Sequence, residues 1–172
     1  MSNQPLPSLF FYGAAKGNPG KARVGGHIIN PDNTSLHYFA WGLGHSSSIQ
    51  AEALALFQGV NFLKELGIWE ASVFGDSQVI IRAVVTNSNP ADLQLARLIT
   101  RIKSMSKSLH LNYFHVLRTN NKAADIEANK AVHLEAGTIL KDKKILWHQS
   151  PKESCFTAFF YISSFVSFNL DN

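Results

Sequence analysis

The pattern of apolar and polar positions changes period several times along the chain, and each change marks an element. Leu9, Phe10, Phe11 and Tyr12 form a β-prone run, which Gly13, Gly17, Pro19 and Gly20 then break into loop. Residues 8–14, about 22–31 and about 35–42 read as three strands, with a turn at Asn30-Pro31-Asp32-Asn33. They predict an antiparallel meander. From Ile49 the period becomes helical: Ala53, Leu56, Val60 and Leu63 share a face, and Gly67 stands where a helix-ending glycine belongs. The first helix therefore spans about 50–66. Ala71 to Gly75 is short and apolar like a buried strand, and Asp76-Ser77 then offers a helix cap ahead of Val79-Ile80-Ile81. After a break at Asn87 to Pro90, Leu95, Leu98, Ile99 and Ile102 mark a helix over about 91–107. Leu109 to Leu117 suits a last strand, and about 120–136 a last helix with Asp125, Ala128, Asn129 and Val132 along one face. The predicted order is β-β-β-α-β-α-β-α, an α/β domain whose middle helix is in two pieces.

Beyond residue 140 the character changes. Lys141-Asp142-Lys143-Lys144 reads as a charged break, and Cys155 to Phe168 is aromatic and uncharged. That run is shorter than the roughly 20 apolar residues a membrane helix needs. The expected organisation is an N-terminal extension at 1–7, a domain at 8–140, and a tail at 141–172 that packs on the domain or is poorly ordered. With 172 residues, 45% of them hydrophobic, the chain is large enough for one core. A formal charge of +4 is compatible with a phosphate-rich partner. Cys155 is the single cysteine, so no disulfide can form within the chain, and the opening MSNQPLPS, with neither a basic stretch nor an apolar run, is not expected to act as a signal peptide. The expectation is an intracellular protein, cytoplasmic or nuclear and not secreted, with no membrane partner. The sequon at Asn33 is discounted accordingly.

Three carboxylates stand out by position. Glu52 falls in the first turn of the first helix, Asp76 at the end of the fourth strand, and Asp125 in the last helix. Taken singly, each reads as an acid favoured by a helix N-terminus. Together they can converge at one end of a mixed sheet, where like charges need a neutralising cation. Oxygen ligands without a cysteine or histidine pair point to Mg²⁺ or Mn²⁺ and away from zinc. Gly17 to Lys21 is no phosphate loop, because Ala15 and Ala22 stand where glycine and a hydroxyl residue are required. Trp41, Trp69 and Trp147 read as core or rim residues, and Arg101, Lys103 and Lys107 as a solvated helix face.

GNPG at 17–20, Gln50-Ala51-Glu52-Ala53-Leu54, Phe74-Gly75-Asp76-Ser77 and the run from His115 to Asp125 resemble, in order and spacing, the signature blocks of the ribonuclease H family. The likeness is to its plant and retroelement-type domains and covers about 8–136. It implies a five-stranded mixed sheet with flanking helices. It also implies a hydrolase, an endonuclease that cuts the RNA strand of RNA/DNA hybrids with two Mg²⁺ ions, or Mn²⁺, held by Asp, Glu, Asp and Asp. By that resemblance Glu52, Asp76 and Asp125 are catalytic residues and metal ligands. The first Asp should stand between Phe11 and Gly13, and the residue there is Tyr12. A phenol is neutral at pH 7 and a poor Mg²⁺ ligand, so metal binding is expected to be weakened and catalysis impaired. No Asp or Glu precedes Asp32, which lies in a predicted turn, so no neighbour replaces the missing ligand. The resemblance places Asn18, Gly20, Ser47, Ser48, Arg118 and Asn121 at the substrate, leaves Ile49 where a polar side chain is usual, and aligns His115 with a strand-borne histidine of the family, for which packing is expected ahead of proton transfer. The alternative reading is a noncatalytic nucleic-acid- or protein-binding module, or a decaying retroelement-derived copy.

Overall fold

The computed structural model describes residues 4–32 and 35–145. The expectations for Asn33, Trp147, Cys155 and the tail beyond 145 lie outside the described residues. The elements follow the predicted order: β1 (Ser8–Gly17), β2 (Gly20–Ile29), β3 (Ser35–Ser46), α1 (Ser48–Glu65), β4 (Glu70–Gly75), α2 (Gln78–Val85), α3 (Leu93–Ser106), β5 (His110–His115) and α4 (Lys122–Lys130). The middle helix is indeed two helices. One strand was not foreseen, β6 (Ile139–Ile145). The sheet order is β5-β4-β1-β2-β3-β6, so the expected five strands are six. β4 runs parallel to β1 and β5, and the other pairs are antiparallel.

The charged break at Lys141 to Lys144 is therefore part of a strand paired with β3, from Trp41 opposite Ile139 to Ser35 opposite Ile145. Lysines on an edge strand discourage pairing with another chain, and this use of charge hides the strand from a reading of polarity. A turn delivers the chain to that edge: Gly137 N donates to Gly42 O at 2.7 Å and Gly42 N to Thr138 O at 3.1 Å. The last helix is also shorter than expected, ending at Lys130 and continuing as a 3-10 turn over Ala131–His133.

Local signals explain the helix bounds. Ser47 Oγ accepts from Gln50 N at 3.2 Å and caps α1. Gly67 follows its last turn at φ +68°, a conformation most side chains avoid, while Gly67 N donates to Lys64 O and Ile68 N to Leu63 O. Asp92 Oδ1 caps α3 by accepting from Leu95 N at 2.7 Å.

Strand alternation sorts side chains onto two faces. Leu9, Phe11, Val24, Ile28 and Phe39 join Leu56, Val60 and Leu63 of α1, with Ile80, Ile99 and Ile102 from α2 and α3, in the main core. Full burial of each such side chain contributes about 1.5–3 kcal/mol before entropy is set against it. On the opposite face α4 packs over β2, β1 and β3, and the 3-10 turn that follows it over β2 and β3, with Tyr12, Ala124 and Ala128 as the buried centre. Beside it a row of rings crosses the sheet in register: Phe114, Phe74, Phe10 and His27 stack at 5.2, 4.7 and 4.8 Å, and Tyr38 follows, tilted, at 6.4 Å. Among the described residues no helix is long and apolar enough to cross a membrane.

His27 has a measurable consequence. It is 4% exposed, and burial lowers its pKa to about 4 from the ordinary 6.5. Between those values the unfolded chain binds a proton that the folded chain refuses. The stabilisation is full above pH 6.5 and is lost as pH falls toward 4, by at most about 3 kcal/mol. His27→Phe keeps the ring on Phe10 and is expected to flatten this slope, read from urea midpoints at about pH 7 and pH 5. Equal acid loss in both proteins assigns the titration elsewhere.

Candidate functional site

β1 continues three residues past its predicted end, and Tyr12 lies within the strand as expected, paired with Gly25 of β2. Alternation turns its side chain toward α4, where it is 2% exposed against Ala124 and Ala128. The phenol oxygen accepts a hydrogen bond from Arg118 Nη2, and the guanidinium carbon stands 5.4 Å from the ring centroid. Burial, and then the charge of Asp125, raise the phenol pKa above its usual 10. Tyr12 is thus a neutral group at pH 7. Arg118 comes from a 3-10 turn, Arg118–Asn120, between β5 and α4.

Two glycines beside Tyr12 set how closely the acid-bearing helices approach the sheet. A Cβ on Gly13 would lie 2.2 Å from Ala51 C and 2.4 Å from Glu52 N, so the backbone of α1 rests directly on β1. A Cβ on Gly25 would lie 2.0 Å from Ala128 N, so α4 rests on β2 in the same way. Gly13 reads in the sequence as a strand breaker, and nothing there distinguishes Gly25. Their function is contact across the sheet.

Glu52 is half-buried in α1. Burial, opposed by a hydrogen bond with Ser77 and reinforced by the charge of Asp76, pushes its carboxyl up to about 7. The expectation that Asp76-Ser77 caps a helix holds only by position: Ser77 precedes α2 but makes no side-chain cap bond, and its hydroxyl serves Glu52. Asp125 projects from α4, with Oδ1 buried, without a hydrogen-bond partner, and 3.9 Å from Arg23 Nη2. Arg118 joins these groups. Tyr12 first, then Asp76 and Asp125, hold its guanidinium more firmly protonated, and its charge in turn favours ionised Glu52.

The residues expected at the substrate divide into two sets. Ser48 N donates to Asn18 Oδ1 at 3.3 Å and Ala15 N to Ser48 Oγ at 3.3 Å, which ties the β1–β2 hairpin to α1. Ser47 is the cap of that helix, and Gly20 is the tight start of β2, where a Cβ would meet Lys16 O at 1.9 Å. Arg118 and Asn121 form the other set, held to β1 at Tyr12 and Phe11. Asn121, 1% exposed, is corrected from a surface contact to a buried tie: its Nδ2 donates to Phe11 O at 2.8 Å, and its main-chain carbonyl accepts from Asp125 N at 3.2 Å. His115, expected to pack, is exposed at the end of β5. Arg23, Gly13 and Gly25 were missed. Their partners lie about 30 to 100 positions away, beyond any local pattern.

Among the described residues no three His, Cys, Asp or Glu side chains gather closely enough to hold a metal ion. Asp125 Oδ1 is free to ligate, but the neighbouring donors are a neutral phenol and two guanidinium groups. A divalent ion needs anionic oxygens on several sides. The residues present do not fit the expected pair of Mg²⁺ ions.

Comparisons with known proteins agree with the fold. The profile of the reverse transcriptase-like family matches residues 10–131. A ribonuclease HI of Halobacterium salinarum is 28% identical over 124 residues, which are 72% of this chain and 62% of that protein. A putative ribonuclease H protein of Arabidopsis thaliana is 30% identical over 128 residues, 73% of this chain and 20% of that protein. The chain thus spans under two thirds of either relative. The crystal structure of RNase H1 from the halophilic archaeon Halobacterium salinarum superposes with a TM-score of 0.70 at 28% identity, covering 73% of this chain and 96% of that one. LC11-RNase H1 in complex with an RNA/DNA hybrid gives 0.68 at 25% identity, covering 73% and 96%.

Proposed function

The chain belongs to the reverse transcriptase-like, ribonuclease H-type family, and from that premise we propose that it binds RNA/DNA hybrids and is impaired in cutting them, because Tyr12 stands at the place of the first catalytic carboxylate. The observation that carries the reading is the buried Tyr12 with its phenol bonded to Arg118, at the point where the elements bearing Glu52, Asp76 and Asp125 meet. The frame of a hydrolytic site is retained, and its chemistry is altered at one ligand. Hybrid binding is supported by LC11-RNase H1, whose structure holds an RNA/DNA hybrid. A plant- or retroelement-type origin is supported by the match to the Arabidopsis protein. The positive charge and the single cysteine suit work on nucleic acid in the cytoplasm or nucleus.

The chain's residues divide the task. Asn18, Ser47 and Ser48 offer polar atoms along one edge, and Arg118 offers a charged donor beside the carboxylates. Such contacts with phosphate and sugar give affinity that falls with salt, and the 2′-OH separates RNA from DNA. Fluorescence anisotropy with a labelled RNA/DNA hybrid, an all-DNA duplex and an all-RNA duplex tests the reading. The expected result is tightest binding to the hybrid, weakening about 10-fold or more as salt rises from 50 to 200 mM. Equal or absent binding to all three duplexes would overturn it and favour a protein-binding module.

A further inference from the structure

We propose that Arg118 is the resident cation of this site, fixed on Tyr12 in the place of a divalent ion, so that the carboxylates are neutralised and nucleic acid is held without metal.

The geometry supplies the reasons. A guanidinium has five N–H donors in a rigid fork and stays charged at every working pH. One of them is committed to the Tyr12 phenol, and the ring beneath the group adds a cation–π contact at 5.4 Å. Tyr12 is itself immobile, buried between β1 and α4 with Ala124 and Ala128 against it. Two contacts from one rigid side chain thus hold an otherwise long and mobile arginine in one pose. From there its charge acts on Asp76, Asp125 and Glu52. Arg23 approaches Asp125 from β2 at 3.9 Å. Two cations thus act on the three carboxylates and lower the negative charge that an incoming ion would meet. An incoming ion would have to displace a guanidinium that cannot lose its proton. The same substitution that removes a metal ligand therefore creates the anchor for the cation that replaces the metal.

The inference about hybrid binding rests on the function proposed above, whereas the inference about the ion does not. Manganese serves as the probe, titrated into the protein and followed by the loss of the free-ion electron paramagnetic resonance signal, with melting curves in EDTA and in Mn²⁺. The parent protein is expected to show no saturable Mn²⁺ site and the same melting temperature in both. Arg118→Ala is expected to acquire a saturable Mn²⁺ site and to melt about 5 °C lower in EDTA, a loss that Mn²⁺ reverses. Arg118→Lys keeps a cation and is expected to behave like the parent toward Mn²⁺, which separates charge from packing. A stoichiometric Mn²⁺ site in the parent overturns the proposal, and so does an Arg118→Ala protein indifferent to the ion. Hybrid affinity in EDTA and in Mn²⁺ completes the set, and it should be equal for the parent. If the parent binds no hybrid in either buffer, the proposed function fails while the manganese titration still decides the role of Arg118.

Discussion

Tyr12→Asp is expected to make this protein cut the RNA strand of an RNA/DNA hybrid in Mg²⁺ or Mn²⁺, at least about 10³-fold faster than the parent protein, because catalytic groups that act as a unit lose most of their effect when one is missing. Three changes coincide at that position. A neutral phenol becomes an anion at pH 7, a ring buried against Ala124 and Ala128 is removed, and Arg118 loses the acceptor that fixes it. The four carboxylates of the family pattern are then all present, as Asp, Glu52, Asp76 and Asp125. A second readout accompanies the rate. The variant should melt below the parent in EDTA, since it loses a buried ring and gains a fourth like charge, and should recover with divalent ion. An end-labelled hybrid incubated with both proteins in each ion gives the answer. Comparable cleavage by the parent means that Tyr12 does not impair the site. A folded Tyr12→Asp protein that stays inactive in both ions means that the impairment has another cause.

Gly13→Ala is expected to cost about 3 kcal/mol or more of folding stability, far above the usual effect of one methyl group. The added carbon would meet the backbone of Ala51 and Glu52 at 2.2 to 2.4 Å, and a backbone cannot rotate away as a side chain can. Either α1 lifts from β1, opening the main core, or β1 bends where Tyr12 is held. Gly67→Ala is the useful comparison. That residue also requires glycine, at φ +68°, but nothing lies within 4 Å of its missing side chain. Its substitution should cost only about 1 kcal/mol. Urea melts of the two variants separate steric contact from backbone strain. A Gly13→Ala protein as stable as the parent would show that α1 does not rest on that strand.

The periodicity of the chain was enough to order the elements from β1 to α4, because strand alternation and helical spacing are local properties of which residues must be buried. It placed Gly67 and the two-piece middle helix for the same reason. β6 escaped it, since an edge strand carrying lysines has the polarity of a loop and is recognised only when β3 is seen to pair with it. The blocks around Glu52, Asp76 and Asp125 also singled out Tyr12 as the one departure among the four expected metal-binding positions. What replaced the missing carboxylate was not legible there. Arg118 and Tyr12 are 106 positions apart, as Gly13 and Gly25 are distant from the helices they admit, and nothing in local spacing connects them. Asn121 likewise has the composition of a surface contact and is instead sealed against Phe11. Sequence pattern reports which face of an element is buried; which two faces meet, and which cation ends up beside which acid, is decided only when the elements pack against the sheet.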